Sequence, residues 1–276
     1  VNINSALTKK LHLNFKLGYT NTHRDRATAA ITGTSTSAAI YLSPLLEPDA
    51  TWNRYGDQES SGGSAFNSPY IAAKNTVNES ANNYFMASPT LKYEINRRMN
   101  VKLRLSVTHT DTDTGYYSPS YLPVATVNMT GGTAKTNENI LTKYIADLTW
   151  DYARKIKAHD ISALVGFTAE HWDRKFQSLS GSGYTNDNLT YKNLLGLVHP
   201  DNFTATSYVQ YQNKLSALGR FNYNYRRRYY FTLTLRGDGA SNFAENKKWG
   251  FFPAAAVRWS IMNEPWFSKT AWLNDL

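Results

Sequence analysis

The stretch YQNKLSALGRFNYNYRRRYYFTLTLR, residues 211–236, alternates apolar and polar side chains on both sides of a three-arginine turn. Successive side chains of a β-strand point to opposite faces of the sheet, so this period of two predicts strands rather than helices. We therefore expect two antiparallel strands, at residues 211–225 and 229–236, joined by a short turn at 226–228. One face of this pair is apolar or aromatic, and the other carries lysine, arginine, asparagine and threonine.

The same alternation recurs along the chain, at residues 11–19, 84–95, 101–109, 144–152, 159–170 and 251–261. That makes about eight strands, and several exceed the roughly 5–6 residues of an ordinary globular strand. Strands of about 9–11 residues suit a tilted membrane crossing. The sequence predicts an all-β fold, an antiparallel transmembrane β-barrel segment.

Charged residues sharpen the pattern, because within the predicted strands they fall on one face. They are Lys16, Lys92, Glu94, Lys102, Arg104, Asp147, Asp160, Lys214, Arg220 and Arg258. The opposite face is apolar or aromatic, as expected for contact with a lipid bilayer. A soluble sheet with one exposed face shows the same alternation, so a soluble β-sandwich binding module stays open at this point.

Connections between the predicted strands alternate in length, with long links at 25–82, 113–138 and 177–207 and short ones at 96–100, 154–158 and 226–228. Outer-membrane barrels have short periplasmic turns and long extracellular loops. The net charge of +9 first suggests nucleic-acid binding. However, many bases cluster in the short turns and the strand aromatics alternate away from the bases, so we expect no nucleic-acid partner.

Residues 236–267 carry the most specific motif: Arg236, Asp238, Gly239, Ser241, Phe243, Trp249, Gly250, Phe252, Pro253, Trp259, Ile261, Glu264 and Phe267. This stretch resembles the signature of SusC/RagA-type TonB-dependent outer-membrane transporters. There, Arg-x-Asp-Gly-Ser-Ser-x-Phe leads into Trp-Gly-x-Phe-Pro-Ser, followed by a strand ending in Trp-x-Ile and then Glu-x-x-Phe. Ala240 and Ala254 stand where the family has serine.

The resemblance implies TonB-driven import of a glycan or peptide fragment across the bacterial outer membrane, under a SusD-like lipoprotein lid. It also implies a plug domain followed by a barrel of about 22 strands. The chain has no starting methionine and no evident closing strand. We therefore expect residues 1–276 to be an internal part of the barrel domain, with the plug, the TonB-contacting segment and the C-terminal strands outside it.

Five aromatic residues of the predicted long links are candidate extracellular contacts with substrate or lid: Trp52, Tyr55, Tyr117, Tyr121 and Tyr184. The alternative for each is that it only packs the loops together. Asp111-Thr112-Asp113-Thr114-Gly115 echoes the start of a calcium loop but lacks the later acidic ligand, so we interpret it as a solvated loop.

We expect no catalytic residue, no metal site and no cofactor, and thus no enzyme. The second functional hypothesis is a small structural or adhesive outer-membrane barrel of about eight strands that closes on itself without transport activity.

Overall fold

A computed structural model of the chain describes residues 1–26, 74–122, 131–194 and 200–267. Within these residues the fold is one antiparallel sheet of nine strands that follow one another in sequence order. The strands are β1 (Asn2–Ala6), β2 (Leu11–Asp25), β3 (Val77–Asn96), β4 (Met99–Ser118), β5 (Gly132–Ile156), β6 (His159–Tyr184), β7 (Phe203–Tyr225), β8 (Tyr229–Ala240) and β9 (Trp249–Trp259). No helix in the described residues is long and apolar enough to cross a membrane.

The prediction of an all-β antiparallel segment is confirmed, and the eight predicted strands correspond to β2–β9. Sequence reasoning missed β1, a strand of five residues, NINSA, whose alternation is too short to stand out. The predicted short turns are confirmed as well, at residues 97–98, 157–158 and 226–228.

One face of the sheet, called the outer face here, carries the predicted apolar set in continuous cross-strand rows. One such row joins Leu13, Leu91, Leu103, Leu148 and Phe167 across β2–β6. No second layer covers this row within the described residues, since Leu148 is 44% and Phe167 56% exposed. A wall of exposed leucine and phenylalanine is suited to hydrocarbon rather than water.

The opposite, inner face carries charged side chains that pair across neighbouring strands. The Nε of Arg104 donates to Oδ2 of Asp147 at 2.8 Å, and Thr168 Oγ1 donates to the other carboxylate oxygen at 2.6 Å. Lys143 Nζ lies 3.0 Å from Glu170 Oε1 in the same way. The sequence therefore assigned the two faces correctly.

Strands β3–β7 run for 20 to 26 residues, far beyond the predicted segments. The extra length lies away from the short turns, so the predicted loops 113–138 and 177–207 were wrong in large part. Asp111 to Gly115, interpreted as a solvated loop, belong to β4, and Tyr117 and Tyr184 also lie on strands.

A single row divides the sheet into two halves that we call lower and upper. It joins Tyr19, Phe85, His109 and Thr142 on the outer face of β2–β5. Below it, toward the short turns, outer-face residues are predominantly apolar. Immediately above it they become Asn21, Asn83 and Asp111.

Candidate functional site

The motif hairpin β8–β9 carries a charge pair on the inner face of β8. Arg236 Nε donates to Asp238 Oδ2 at 2.7 Å, two residues along the same strand. Across the hairpin, Arg236 lies opposite Phe252 and Asp238 opposite Gly250. The spacing Arg-x-Asp thus places two opposite charges on one face, where each can neutralise the other.

The glycines of the motif make room for its aromatic rings. A β-carbon at Gly239 would lie 2.8 Å from the ring of Trp249, the residue directly opposite it. A β-carbon at Gly250 would lie 2.9 Å from the Phe252 ring. Both distances are too short for carbon atoms in van der Waals contact, so each glycine and its ring form one packing unit.

The connection between β8 and β9 is tied to the neighbouring strand β7. Asn213 donates its backbone N–H to Ser241 Oγ at 3.0 Å, and Ser241 returns its own N–H to the Asn213 carbonyl at 2.9 Å. Phe243 in the same connection is 57% exposed. Pro253 lies opposite Leu235 on β9, the edge of the described sheet, where a missing N–H is tolerated.

One carboxylate, that of Glu264, binds three side chains at the lower end of the hairpin. Glu264 is 7% exposed and accepts hydrogen bonds from Tyr229 Oη (2.7 Å), Trp259 Nε1 (3.1 Å) and Arg228 Nη1 (3.2 Å). The Tyr229 bond, followed by the Trp259 bond, holds the pKa of Glu264 below its usual value, and the Arg228 charge lowers it further. The motif residues Trp259 and Glu264 are therefore bonded directly to each other, and Glu264 also binds a tyrosine and an arginine that the sequence pattern did not single out.

At the upper end, an upper cluster of Tyr117, Ala134, Tyr184 and Leu194 is buried. Tyr117 is 1% and Tyr184 0% exposed, and their rings meet edge to face with centroids 6.0 Å apart. Tyr184 Oη donates to the carbonyl of Leu194 at 2.7 Å. The cluster joins the ends of β4, β5 and β6 to the connection that follows β6.

Asp187, in the connection that follows β6, joins it by hydrogen bonds to the connection that follows β4. Its Oδ1 accepts from Tyr117 Oη at 2.6 Å and from the Ser120 N–H at 2.8 Å, while its Oδ2 accepts from Ser120 Oγ at 2.8 Å.

A second bond fixes the same connection to the sheet. Tyr191 Oη donates to Glu79 Oε2 at 2.6 Å, and this bond together with burial raises the pKa of Tyr191 to about 12. Asp187, Tyr191 and Glu79 carry no local sequence signal, because their partners lie 67 to 112 residues away.

The five candidate contact residues are thus divided by the structure. Tyr117 and Tyr184 are buried in the upper cluster, where they pack. Tyr121 is 55% exposed, and its hydroxyl donates to Asn75 Oδ1 at 3.1 Å. Trp52 and Tyr55 lie outside the described residues. Contact of any of these residues with substrate or lid stays a prediction.

Asp111, Asp113 and Glu138 form an acidic group on the outer face of the upper half. Their nearest carboxylate oxygens all lie within 4.8 Å of one another. The sequence had singled out the two aspartates but not Glu138, which lies directly opposite Asp113 on β5.

Comparison with known proteins gives relatives along nearly the whole chain, although no family model matches it. TonB-dependent receptor P3 of Formosa agariphila is 26% identical over 274 residues, which are 95% of this chain and 26% of that protein. TonB-dependent receptor SusC of Bacteroides thetaiotaomicron is 30% identical over 141 residues, 49% of this chain and 13% of SusC. The chain covers 26% and 27% of the first two relatives' lengths.

A solved structure of the RagAB peptide transporter has the same fold, with a TM-score of 0.79 at 19% identity over 99% of this chain and 31% of that chain. The fold and the named relatives agree with the motif at residues 236–267. The predicted resemblance is therefore confirmed: the chain is similar to SusC/RagA-type TonB-dependent receptors along a segment of their β-barrel wall.

Proposed function

We propose that this chain forms part of the wall of a TonB-dependent transporter that imports glycan or peptide fragments across the bacterial outer membrane. The observation that carries the proposal is the β8–β9 hairpin. The motif residues that resemble the transporter family hold this hairpin together, through the Gly239–Trp249 packing across its two strands and through Glu264, which binds Trp259 of β9 and Tyr229 of β8.

The whole transporter has parts that this proposal places outside the chain. A plug domain, the TonB-contacting segment and the C-terminal strands complete a barrel of about 22 strands in which residues 1–276 belong to the barrel domain. A SusD-like lipoprotein covers the extracellular mouth. Among the described residues, Tyr121 and Phe243 offer exposed aromatic surface for the lid or the substrate, at 55% and 57% exposure.

The face assignment supports the membrane location. An apolar outer face meets the lipid bilayer, and the inner face with its ion pairs lines the lumen. This role is transport and not catalysis, and it requires no cofactor from this segment.

A small closed barrel finds no support in the described residues. Strands β1 and β9 are the two edges of the sheet and do not pair with each other. The nine described strands therefore form an open wall, which needs further strands to close.

Membrane orientation is tested by cysteine labelling, since this chain has no native cysteine. Lys157→Cys, in a short turn, and Glu245→Cys, in the β8–β9 connection, are made in the full-length transporter with any other cysteines replaced. A membrane-impermeant maleimide added to intact cells is expected to label Cys at 245 and to reach 157 only after permeabilisation. The reverse pattern would contradict the orientation.

Transport is tested by deleting the full-length gene and measuring uptake of labelled oligosaccharides and peptides. We expect loss of uptake of one cargo, restored by the wild-type gene. Unchanged uptake of every cargo would contradict the proposed function.

A further inference from the structure

Charged side chains are sorted between the two faces of the sheet. The inner face carries the even-numbered residues of β2–β4 and β6–β9 and the odd-numbered residues of β5, up to the irregular last residues of β6. Counted this way, the inner face holds thirteen lysines and arginines against six carboxylates. The outer face holds two such bases against six carboxylates. The positive charge of the sheet is therefore concentrated on the face that would line the lumen.

Ion pairs neutralise most of the inner-face carboxylates but not the surplus of bases. Five of the six carboxylates lie within 4.0 Å of a lysine or arginine nitrogen, namely Glu94, Asp147, Asp151, Glu170 and Asp238. Bases outnumber acids two to one, so the wall stays positive after these pairs form. Such a field within a cleft raises the local concentration of anions.

One basic side chain of the upper half lies beside an aromatic platform. Phe176 and Tyr208 face each other across β6 and β7 with ring centroids 5.0 Å apart and planes 26° from parallel. The Arg174 guanidinium carbon lies 6.0 Å from the Phe176 centroid and 5.8 Å from that of Tyr208. Its Nε donates to Asn139 Oδ1 at 2.6 Å. Among the described residues Arg174 forms no ion pair, and a guanidinium has further N–H donors for an anion.

Amide groups continue the platform toward the hairpin. Trp172 Nε1 donates to Gln212 Oε1 at 2.8 Å, and Gln212 Nε2 donates to Asn242 Oδ1 at 2.7 Å. Flat rings beside amides suit a sugar, whose C–H faces pack on rings and whose hydroxyl rims bond to amides. An acidic peptide offers charge but no repeating flat face for the pair of rings.

We propose that this inner wall binds an acidic oligosaccharide, one whose sugars carry carboxylate or sulfate groups. The pyranose face packs against the exposed side of the stacked Phe176–Tyr208 pair, and the anionic group pairs with Arg174. This inference rests on the proposed transport function and specifies its cargo.

Binding to the purified full-length transporter in detergent tests the inference, measured by calorimetry. The probes are an oligogalacturonate, a neutral malto-oligosaccharide of the same length and an oligoglutamate. We expect the oligogalacturonate to bind at least about tenfold more tightly than the neutral sugar, with the ratio shrinking as salt is added.

Two adjacent residues provide a matched pair of variants. Arg174→Gln is expected to weaken oligogalacturonate binding by about tenfold because it removes one charge-assisted contact. Lys175→Gln removes the same kind of charge from the outer face and should change nothing. Phe176→Leu should weaken binding of both sugars, since it removes a ring from the platform.

Equal affinity for the acidic and neutral sugars, or equal effects of the two charge variants, would overturn the inference. Oligoglutamate binding as tight as that of the oligogalacturonate, and insensitive to Phe176→Leu, would assign the wall to acidic peptides instead. Absence of binding by all three probes would also overturn it. The gene-deletion experiment distinguishes these results from failure of the transport proposal. If deletion abolishes uptake of a neutral cargo, the transport proposal stands and only the acidic-sugar inference is refuted.

Discussion

The lower and upper halves of the sheet share the same strands but are held together differently. In the lower half the outer face is apolar, as at Leu105 and Leu148, and the inner face carries ion pairs such as Arg104 with Asp147. In the upper half both faces are largely polar, yet β4–β7 continue without interruption. The comparison shows that alternation specifies only the part of a strand whose two faces meet different surroundings.

The largest expected effect comes from placing an arginine on the outer face of the sheet, first in the lower half and then in the upper half. Leu105→Arg places a charge on the lower outer face and is expected to cost roughly 2–4 kcal/mol of unfolding free energy if the site lies near the bilayer midplane. Ile140→Arg, on the outer face just above the dividing row and opposite Asp111, should cost about 0–1 kcal/mol. Thermal stability of the full-length protein in lipid nanodiscs gives the measurement.

Arg104→Ala is the control for the opposite face of the same strand. A half-exposed ion pair contributes about 0–1 kcal/mol, and Asp147 keeps its bond to Thr168 after the change. Similar losses for Leu105→Arg and Arg104→Ala would show that the faces are assigned wrongly.

The same contrast explains what the sequence could predict. Within the predicted strand 101–109, residues 101–108 alternate strictly, so both the strand and its faces followed from period two. The extension of β4 to Ser118 could not be predicted in this way, because His109, Asp111 and Asp113 on the outer face are as polar as the threonines on the inner face. Pairing with β5 holds this extension, and that partner is not visible in a local pattern.

Long-range contacts also decided which candidate residues are buried. Tyr117 and Tyr184 were chosen as aromatics of long links, a criterion that does not distinguish an exposed ring from a buried one. Their burial depends on Asp187 and Leu194, from a connection that the alternation does not describe. The motif hairpin was accessible from sequence because its partners lie within about one strand of each other.

The second expected effect concerns Asp187, whose hydrogen bonds join two connections at the upper end of the sheet. Asp187→Ala removes the acceptor of three hydrogen bonds, one of them from buried Tyr117, and is expected to cost about 2 kcal/mol of local stability. Hydrogen exchange should accelerate at residues 117–122 while the lower half of β4 keeps its protection. Asn188→Ala, at an exposed neighbouring position, is the control. Faster exchange along all of β4 would mean that the two halves unfold together.

A smaller effect tests whether the position of the Trp249 ring requires a glycine at residue 239. Gly239→Ala would push a β-carbon to 2.8 Å from Trp249, so the ring must move, at a cost of about 1 kcal/mol. Gly219→Ala is the matched control, since no atom lies within 4 Å of a β-carbon built there. Both glycines lie on the outer face of neighbouring strands. Trp249 fluorescence and thermal stability should change in the first variant alone, and equal responses would remove the packing explanation.

The last effect depends on pH and concerns the lower end of the hairpin. Glu264 has a pKa below its usual value of 4.5 in the folded protein, so its ionised form stabilises the fold. That contribution is fully present above pH 4.5 and is lost as the pH falls through the lower, folded-state pKa. Glu264→Gln keeps an acceptor for Tyr229 but lacks the charge that Arg228 contacts. The wild type should therefore melt at a higher temperature than Glu264→Gln at pH 7, and the gap should close in acid. A gap that is constant with pH would assign the role of Glu264 to packing rather than to its charge, because only an ionised carboxylate can lose this contribution by binding a proton.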